Sequence, residues 1–207
     1  MYVMKPLATA DTAAVDKLIA ARMDFQIANH HRPRGEGLGL RDVVTGAGAG
    51  TGLHDAAAGT PSSAPDDGGT AIGMWEDEEL VAAFVLQHAA PQQGWTIEER
   101  EEPTLLVAHA YSLPGQTLLG RLTALWLSDY AARQHKQPWV RCTVQEQALA
   151  WRLARSCGWR HVRDVHDIHG NFHLMQRPPE RANRLEVVVT SVGVPDLRPD
   201  ADHRLPA

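Results

Sequence analysis

Residues 104–127, TLLVAHAYSLPGQTLLGRLTALWL, restrict the fold more than any other stretch, because a strand pattern passes into a helix pattern across a single turn. Positions 105–111 are apolar on both alternating faces, as expected of a central strand covered by helices on two sides. Pro114 and Gly115 break the pattern. From Gln116 the period lengthens to about 3.6 residues. Leu118, Leu119, Leu122, Leu125, Trp126 and Tyr130 then fall on one broad stripe, with Arg121, Ser128 and Arg133 mostly outside it. A strand that turns sharply into a helix leaves backbone amides at the helix start without partners, and such a turn is a ready anion site.

The flanking chain supplies further strands and helices. Residues 2–7 form a short apolar segment, and Asp11 precedes a helical pattern (Ala14, Val15, Leu18, Ile19, Met23), which suits it as an N-cap. From Asn29 the pattern collapses, and residues 45–69 are so rich in Gly, Ala, Ser, Pro and Asp that they are expected to form a mobile insertion. Order returns with AIGMW, a charged turn (Glu76, Asp77, Glu78, Glu79) and LVAAFVLQ, a β-hairpin. The connection at 92–103 carries IEEREE, read as a solvated acidic loop or a cation-attracting rim. After the central helix come a strand at 139–144, a helix at 145–156 with Gly158 placed as its C-terminal cap, and two strands at 160–165 and 172–176. Beyond Pro178, LEVVVTSVGV is a possible edge strand and PDLRPDADHRLPA a disordered tail. The expected organisation is one domain over 1–177, with a C-terminal extension over 178–207. This order of elements makes an α/β fold, a mixed sheet with helices on both faces.

Charge and cysteine usage bound the setting. A net charge of −5 and a pI near 6.1 lack the clustered basic face that nucleic acid requires. Cys142 and Cys157 have no spacing that points to a disulfide frame or a zinc site, and they suit a reducing cytoplasm. No segment approaches the roughly 20 apolar residues of a membrane span, and the first residues have no leader-like apolar run. A Val-rich edge strand would be a liability unless covered, for example in a homodimer.

Together these blocks resemble the GCN5-related N-acetyltransferase (GNAT) family. The blocks are LATADTAAVDKL, AIGMWEDEELVAAFVLQ, LLVAHAYSLPGQTLLGRLTALWLSDYAARQ, WVRCTV and LARSCGWRHV, and the resemblance covers roughly 2–177 apart from the insertion. It implies a mostly antiparallel central sheet and a single acyltransferase-like domain. It also implies acetyl-CoA or another acyl-CoA as co-substrate, bound where the central strand diverges from WVRCTV. The pantetheine arm would run along backbone groups of Ala110, Tyr111 and Ser112, and the diphosphate would sit on amides of Gln116, Thr117, Leu118, Leu119, Gly120 and Arg121. The implied chemistry is direct attack on the thioester by an amine of a small molecule or peptide. Three positions depart from the family pattern: Leu118 and Gly115 stand where the loop carries Gly and Arg or Gln, and Ala154 stands where many members carry a tyrosine that protonates the departing thiolate. A thiolate with a pKa near 8.5 can leave without full protonation, so slower catalysis is expected rather than none. A degenerate member that binds acyl-CoA or a partner without turnover is the alternative.

Only a minute fraction of an alkylammonium acceptor is neutral at pH 7, a deficit of roughly 4 to 5 kcal/mol, so a base or a desolvating site is required. His109 and Tyr111, on one face of the central strand, are the candidates, since imidazole titrates in the useful range. The competing reading makes His109 a hydrogen-bonded core residue and Tyr111 a packing residue. Glu78 and Glu79 are further alternatives for the base, or solvated turn residues. His161, His166, His169 and His173 invite a metal reading, but their spacing matches no standard site and no metal is expected. Cys142 is either an acyl-cysteine nucleophile or an inert buried thiol, and Arg141 either lines the cofactor channel or pairs at the surface.

Overall fold

The computed structural model describes residues 1–29, 37–46, 69–88, 93–134, 139–167 and 170–194. Most of the expected insertion, the C-terminal tail and His169 lie outside these residues. Eight strands, β1 (Tyr2–Pro6), β2 (Thr70–Glu76), β3 (Glu79–Gln87), β4 (Thr104–Ser112), β5 (Trp139–Val144), β6 (Arg160–Asp167), β7 (Gly170–Arg177) and β8 (Val189–Ser191), form one sheet in the order β6-β7-β5-β4-β3-β2-β1-β8. Pairing is antiparallel except between β4 and β5 and between β1 and β8. The helices are α1 (Thr12–Ala28), α2 (Gly37–Thr45), α3 (Ile97–Glu101), α4 (Thr117–Arg133) and α5 (Gln147–Ser156).

The apolar stripe of α4 explains one side of the core. Leu119, Leu122, Trp126 and Tyr130 pack with Leu105, Val107, Phe84 and Met175 of the sheet and with Ala150 and Cys157 from the α5 region. Leu118 departs from the expected stripe and is 51% exposed. The other face of the sheet carries α1 and α2, whose Val15, Leu18, Leu40 and Val44 cover Ala71, Leu80, Ala83 and Val85. Helix α2 corrects the reading of 29–69 as patternless: Leu40 and Val44, four residues apart, make a short apolar stripe that neighbouring glycines obscure.

Other local expectations are revised. Asp11 does not cap α1 with its side chain; its Oδ2 instead accepts the Ala8 amide (2.9 Å), closing a 3-10 turn ahead of the helix. Gly158 has φ +69, and the Trp159 amide bonds back to the Leu153 carbonyl (3.3 Å), the left-handed cap that ends α5. Ser128 and Asp129 of α4 are buried, because the C-terminal segment docks over them. Ser128 Oγ accepts the Glu180 amide (2.9 Å), Asp129 Oδ1 accepts the Ala182 amide (3.0 Å), and Trp126 Nε1 donates to Ser191 Oγ (2.9 Å). These bonds hold the approach to β8, which lies parallel to β1 at the sheet edge.

The acidic connection is not a plain solvated loop but carries a short helix. Thr96 and Glu99 form a reciprocal capping box that starts α3. Arg163 reaches Glu99 with two bonds (2.6 and 3.0 Å) and also donates to the Gly94 carbonyl (2.9 Å). Burial would raise the Glu99 carboxyl, but the Thr96 amide, Arg163 and the charge of Arg141 outweigh it and hold its pKa below the usual carboxylate range. Arg141 neither lines a channel nor pairs at the surface. It is 1% exposed, under the ring of Trp95 (4.6 Å), and donates to Thr104 Oγ1 (2.9 Å), the Glu99 carbonyl and the Glu102 carboxylate.

Candidate active site

The strand at the centre of the sheet is where the geometry opens. Strands β4 and β5 run parallel from Thr104–Trp139 to Val107–Cys142, and the pairing stops there. β4 continues to Ser112 along β3, while β5 continues to Val144 along β7. Beyond Val107, no β4 residue has a ladder partner on the β5 side among the described residues. Two strands that diverge in this way leave a wedge with backbone donors and acceptors on its wall.

A bulge sits at the mouth of this wedge. Ala83 pairs with Tyr111 and Val85 with Ala108, so His109 and Ala110 together oppose Phe84. His109 adopts φ +48, a left-handed conformation that non-glycine residues seldom hold. The extra residue resets the alternation. Leu105 and Val107 face α4, whereas Tyr111 packs with the cluster under α1 and α2, the opposite face from the one simple alternation would give it. His109 is exposed, not a core histidine, and its imidazole stands directly over Gly39 of α2. A Cβ built on Gly39 would lie 2.4 Å from His109 Cε1. Gly39 is therefore the seat of His109, a role that no sequence pattern in 29–69 signalled.

The strand then enters the helix. The Leu113 amide bonds to the Val81 carbonyl (2.8 Å), Gly115 turns the chain at φ +80, and α4 begins at Thr117. Gln116 caps the helix without a side-chain hydrogen bond, and no acidic residue occupies the first turn. The first turn of this 17-residue helix thus presents a positive dipole end with no acidic side chain of its own, the Leu119 amide bonding to the Gln116 carbonyl (3.3 Å). A Cβ placed on Gly120 would meet nothing within 4 Å, so the Leu118 side chain does not close over that position. Burial raises the Cys157 thiol, and the charges of Arg121, Arg177 and Arg152 nearby oppose that shift.

Cys142 marks the apex of the wedge, where burial pushes its thiol up to about 12. That favours the inert-thiol reading over an acyl-cysteine. Ala154 is exposed on α5 and lines a groove of about 340 Å³ between that helix and the β6–β7 hairpin. Glu79 is ion-paired to Lys17 (2.7 Å) and Glu78 is exposed. Both belong to the charged turn that, with α1, lines a hollow of about 480 Å³. On the hairpin, His161 and His173 converge on Asp164, which the sequence reading passed over, whereas His166 turns to Asn171 (2.6 Å).

No family model matches the chain, and no curated protein is similar to it in sequence. Solved structures are similar to it in fold. An acetyltransferase of the GNAT family from Streptococcus agalactiae superposes with a TM-score of 0.57 at 14% identity, over 86% of this chain and 96% of that one. An aminoglycoside acetyltransferase in complex with coenzyme A gives 0.57 at 13% identity, over 91% and 98%. The ribosomal-protein-S18-alanine N-acetyltransferase from Escherichia coli gives 0.53 at 14% identity, over 88% and 97%. The chain therefore has the GNAT fold, a mixed and mostly antiparallel sheet between helices. Among the described residues no helix is long and apolar enough to cross a membrane.

Proposed function

We propose that this chain with the GNAT fold is an acyl-CoA-dependent N-acyltransferase, with acetyl the expected acyl group and an amine of a small molecule or peptide as acceptor. The observation that carries the reading is the end of β4–β5 pairing at Val107–Cys142, followed within one strand and one turn by a helix start free of acidic residues. In this reading the pantetheine arm takes the place of the missing strand partner, pairing with backbone groups of Ala110, Tyr111 and Ser112. The diphosphate lies on the amides of Gln116, Thr117, Leu118, Leu119, Gly120 and Arg121. Helix-start amides supply donors and a positive dipole end, so the charge of a diphosphate is met without a metal.

The acceptor enters from the α1–α2 side, toward which His109 and Tyr111 turn. His109 takes the proton as the ammonium becomes a nucleophile. The amine nitrogen bonds to the thioester carbonyl carbon, the carbon–sulfur bond breaks, and coenzyme A leaves as a thiolate, while the second proton shed by the nitrogen passes to solvent or to that thiolate. The structures similar in fold include an aminoglycoside acetyltransferase in complex with coenzyme A, which favours a small-molecule amine. A cytoplasmic setting suits the two free thiols, and β8 at the sheet edge is the surface on which a homodimer would form.

Ala154, in the place of the family's tyrosine, favours a second reading in which acyl-CoA is bound without turnover. Thiol release from acetyl-CoA across a panel of small amines and peptides separates the two. Amine-dependent release above the hydrolysis background is expected, and its absence with every amine would leave the non-catalytic reading standing.

A further inference from the structure

Three ligand-bearing side chains outside the cleft meet at one point. His161 Nε2 lies 2.7 Å from Asp164 Oδ1, and His173 Nδ1 lies 2.6 Å from the same oxygen. All three donor atoms fall within 4.8 Å of one another. This convergence is built by the sheet. Asp164 and His173 are directly opposed across the β6–β7 ladder, but residues three apart in a regular strand point to opposite faces. The register shift between His161 and Arg163 is a bulge that turns His161 onto the face of Asp164.

We propose that His161, Asp164 and His173 form a binding site for a divalent ion of the zinc class. Two imidazoles and one carboxylate are a donor set for late first-row ions, and with three protein ligands the fourth position is left for water or a bound donor. That position faces the groove of about 340 Å³ whose other wall is Gln147, Ala150, Trp151, Ala154 and Arg155 of α5. Zinc bonds of about 2.0 to 2.2 Å place tetrahedral neighbours about 3.3 Å apart, so the contacts of 2.7 and 2.6 Å need open by about 0.6 to 0.7 Å. Ligation requires each histidine to present a ring nitrogen free of its proton and the aspartate to present a carboxylate oxygen. Arg155, on the groove wall, is drawn onto the ring of Trp151 (5.0 Å).

The test is calorimetric titration of the chelator-treated full chain with Zn²⁺, repeated with His161→Ala, His173→Ala and Asp164→Asn, and with Co²⁺ as a coordination probe. One saturable site per parent chain is expected, with affinity at least tenfold weaker in each variant and a four-coordinate Co²⁺ absorption band that the variants lose. The chain has 11 histidines, so saturable binding of equal strength in parent and variants would assign the metal elsewhere and overturn the proposal. No saturable binding in the folded parent would overturn it equally, leaving a hydrogen-bonded trio. If His173→Ala, the least exposed of the three, loses its circular dichroism, His161→Ala and Asp164→Asn decide the matter, both positions being exposed.

Discussion

Replacement of His109 by alanine is expected to lower the rate of acyl transfer more than tenfold while leaving acetyl-CoA affinity nearly unchanged. The imidazole projects from a bulge on the α1–α2 side, and the pantetheine seat in the proposed complex is backbone, which the substitution retains. General bases contribute about 10²- to 10⁴-fold, and the ammonium to be deprotonated carries a deficit of roughly 4 to 5 kcal/mol at pH 7. The left-handed backbone at this position also suits a functional role, since residues held there at a cost of about 1 to 3 kcal/mol persist only where the surroundings over-determine them. Steady-state kinetics would place the loss in kcat and not in the KM for acetyl-CoA. Equal rates in variant and parent would remove His109 from the mechanism.

Arg141→Ala is expected to destabilise the fold by about 3 kcal/mol, because removing one member of a buried ionic and hydrogen-bonded cluster costs about 3 to 5 kcal/mol. The lower end applies because Glu102 is 45% exposed and its freed carboxylate can rehydrate. What cannot rehydrate as easily is Thr104 Oγ1, fully buried, and the cavity left beside Trp95 adds to the loss. Arg141→Met, which refills the volume, should cost less than Arg141→Ala. Urea unfolding reads both, and a loss below about 1 kcal/mol in the alanine variant would show that α3 is held by the Arg163–Glu99 pair alone.

The parts of this architecture legible in the sequence were those where period and punctuation agree. The strand-to-helix passage through Pro114 and Gly115 and the Gly158 cap are of this kind, as is the hairpin around Glu76–Glu79. Helix α2 was hidden because, among its described side chains, Leu40 and Val44 alone are buried, and they stand among glycines. Buried polar residues escaped sequence reading for a common reason. Arg141, which the sequence places either along a cofactor channel or in a surface pair, Ser128, which falls outside the apolar stripe, and Asp129 are each buried by a partner distant in sequence: the α3 connection for Arg141, and residues 178–182 for the other two. Bulges were the other blind spot. One extra residue in β4 moves Tyr111 to the other face, and one irregularity in β6 brings His161 to Asp164, whereas reading by strict alternation places neither.

The central claim is that the wedge between β4 and β5 and the start of α4 seat acyl-CoA. Calorimetric titration of the folded protein with acetyl-CoA tests it, with Leu118→Glu as the paired variant. Leu118 is half exposed, so the substitution should leave the fold intact, and a carboxylate in the first turn of a helix is itself favourable to the helix. Saturable binding of one acetyl-CoA per chain is predicted, weakened more than tenfold in Leu118→Glu, where the new charge would compete with the diphosphate for the same amides. Absence of binding by the folded parent, or equal affinity in parent and variant, would contradict the placement.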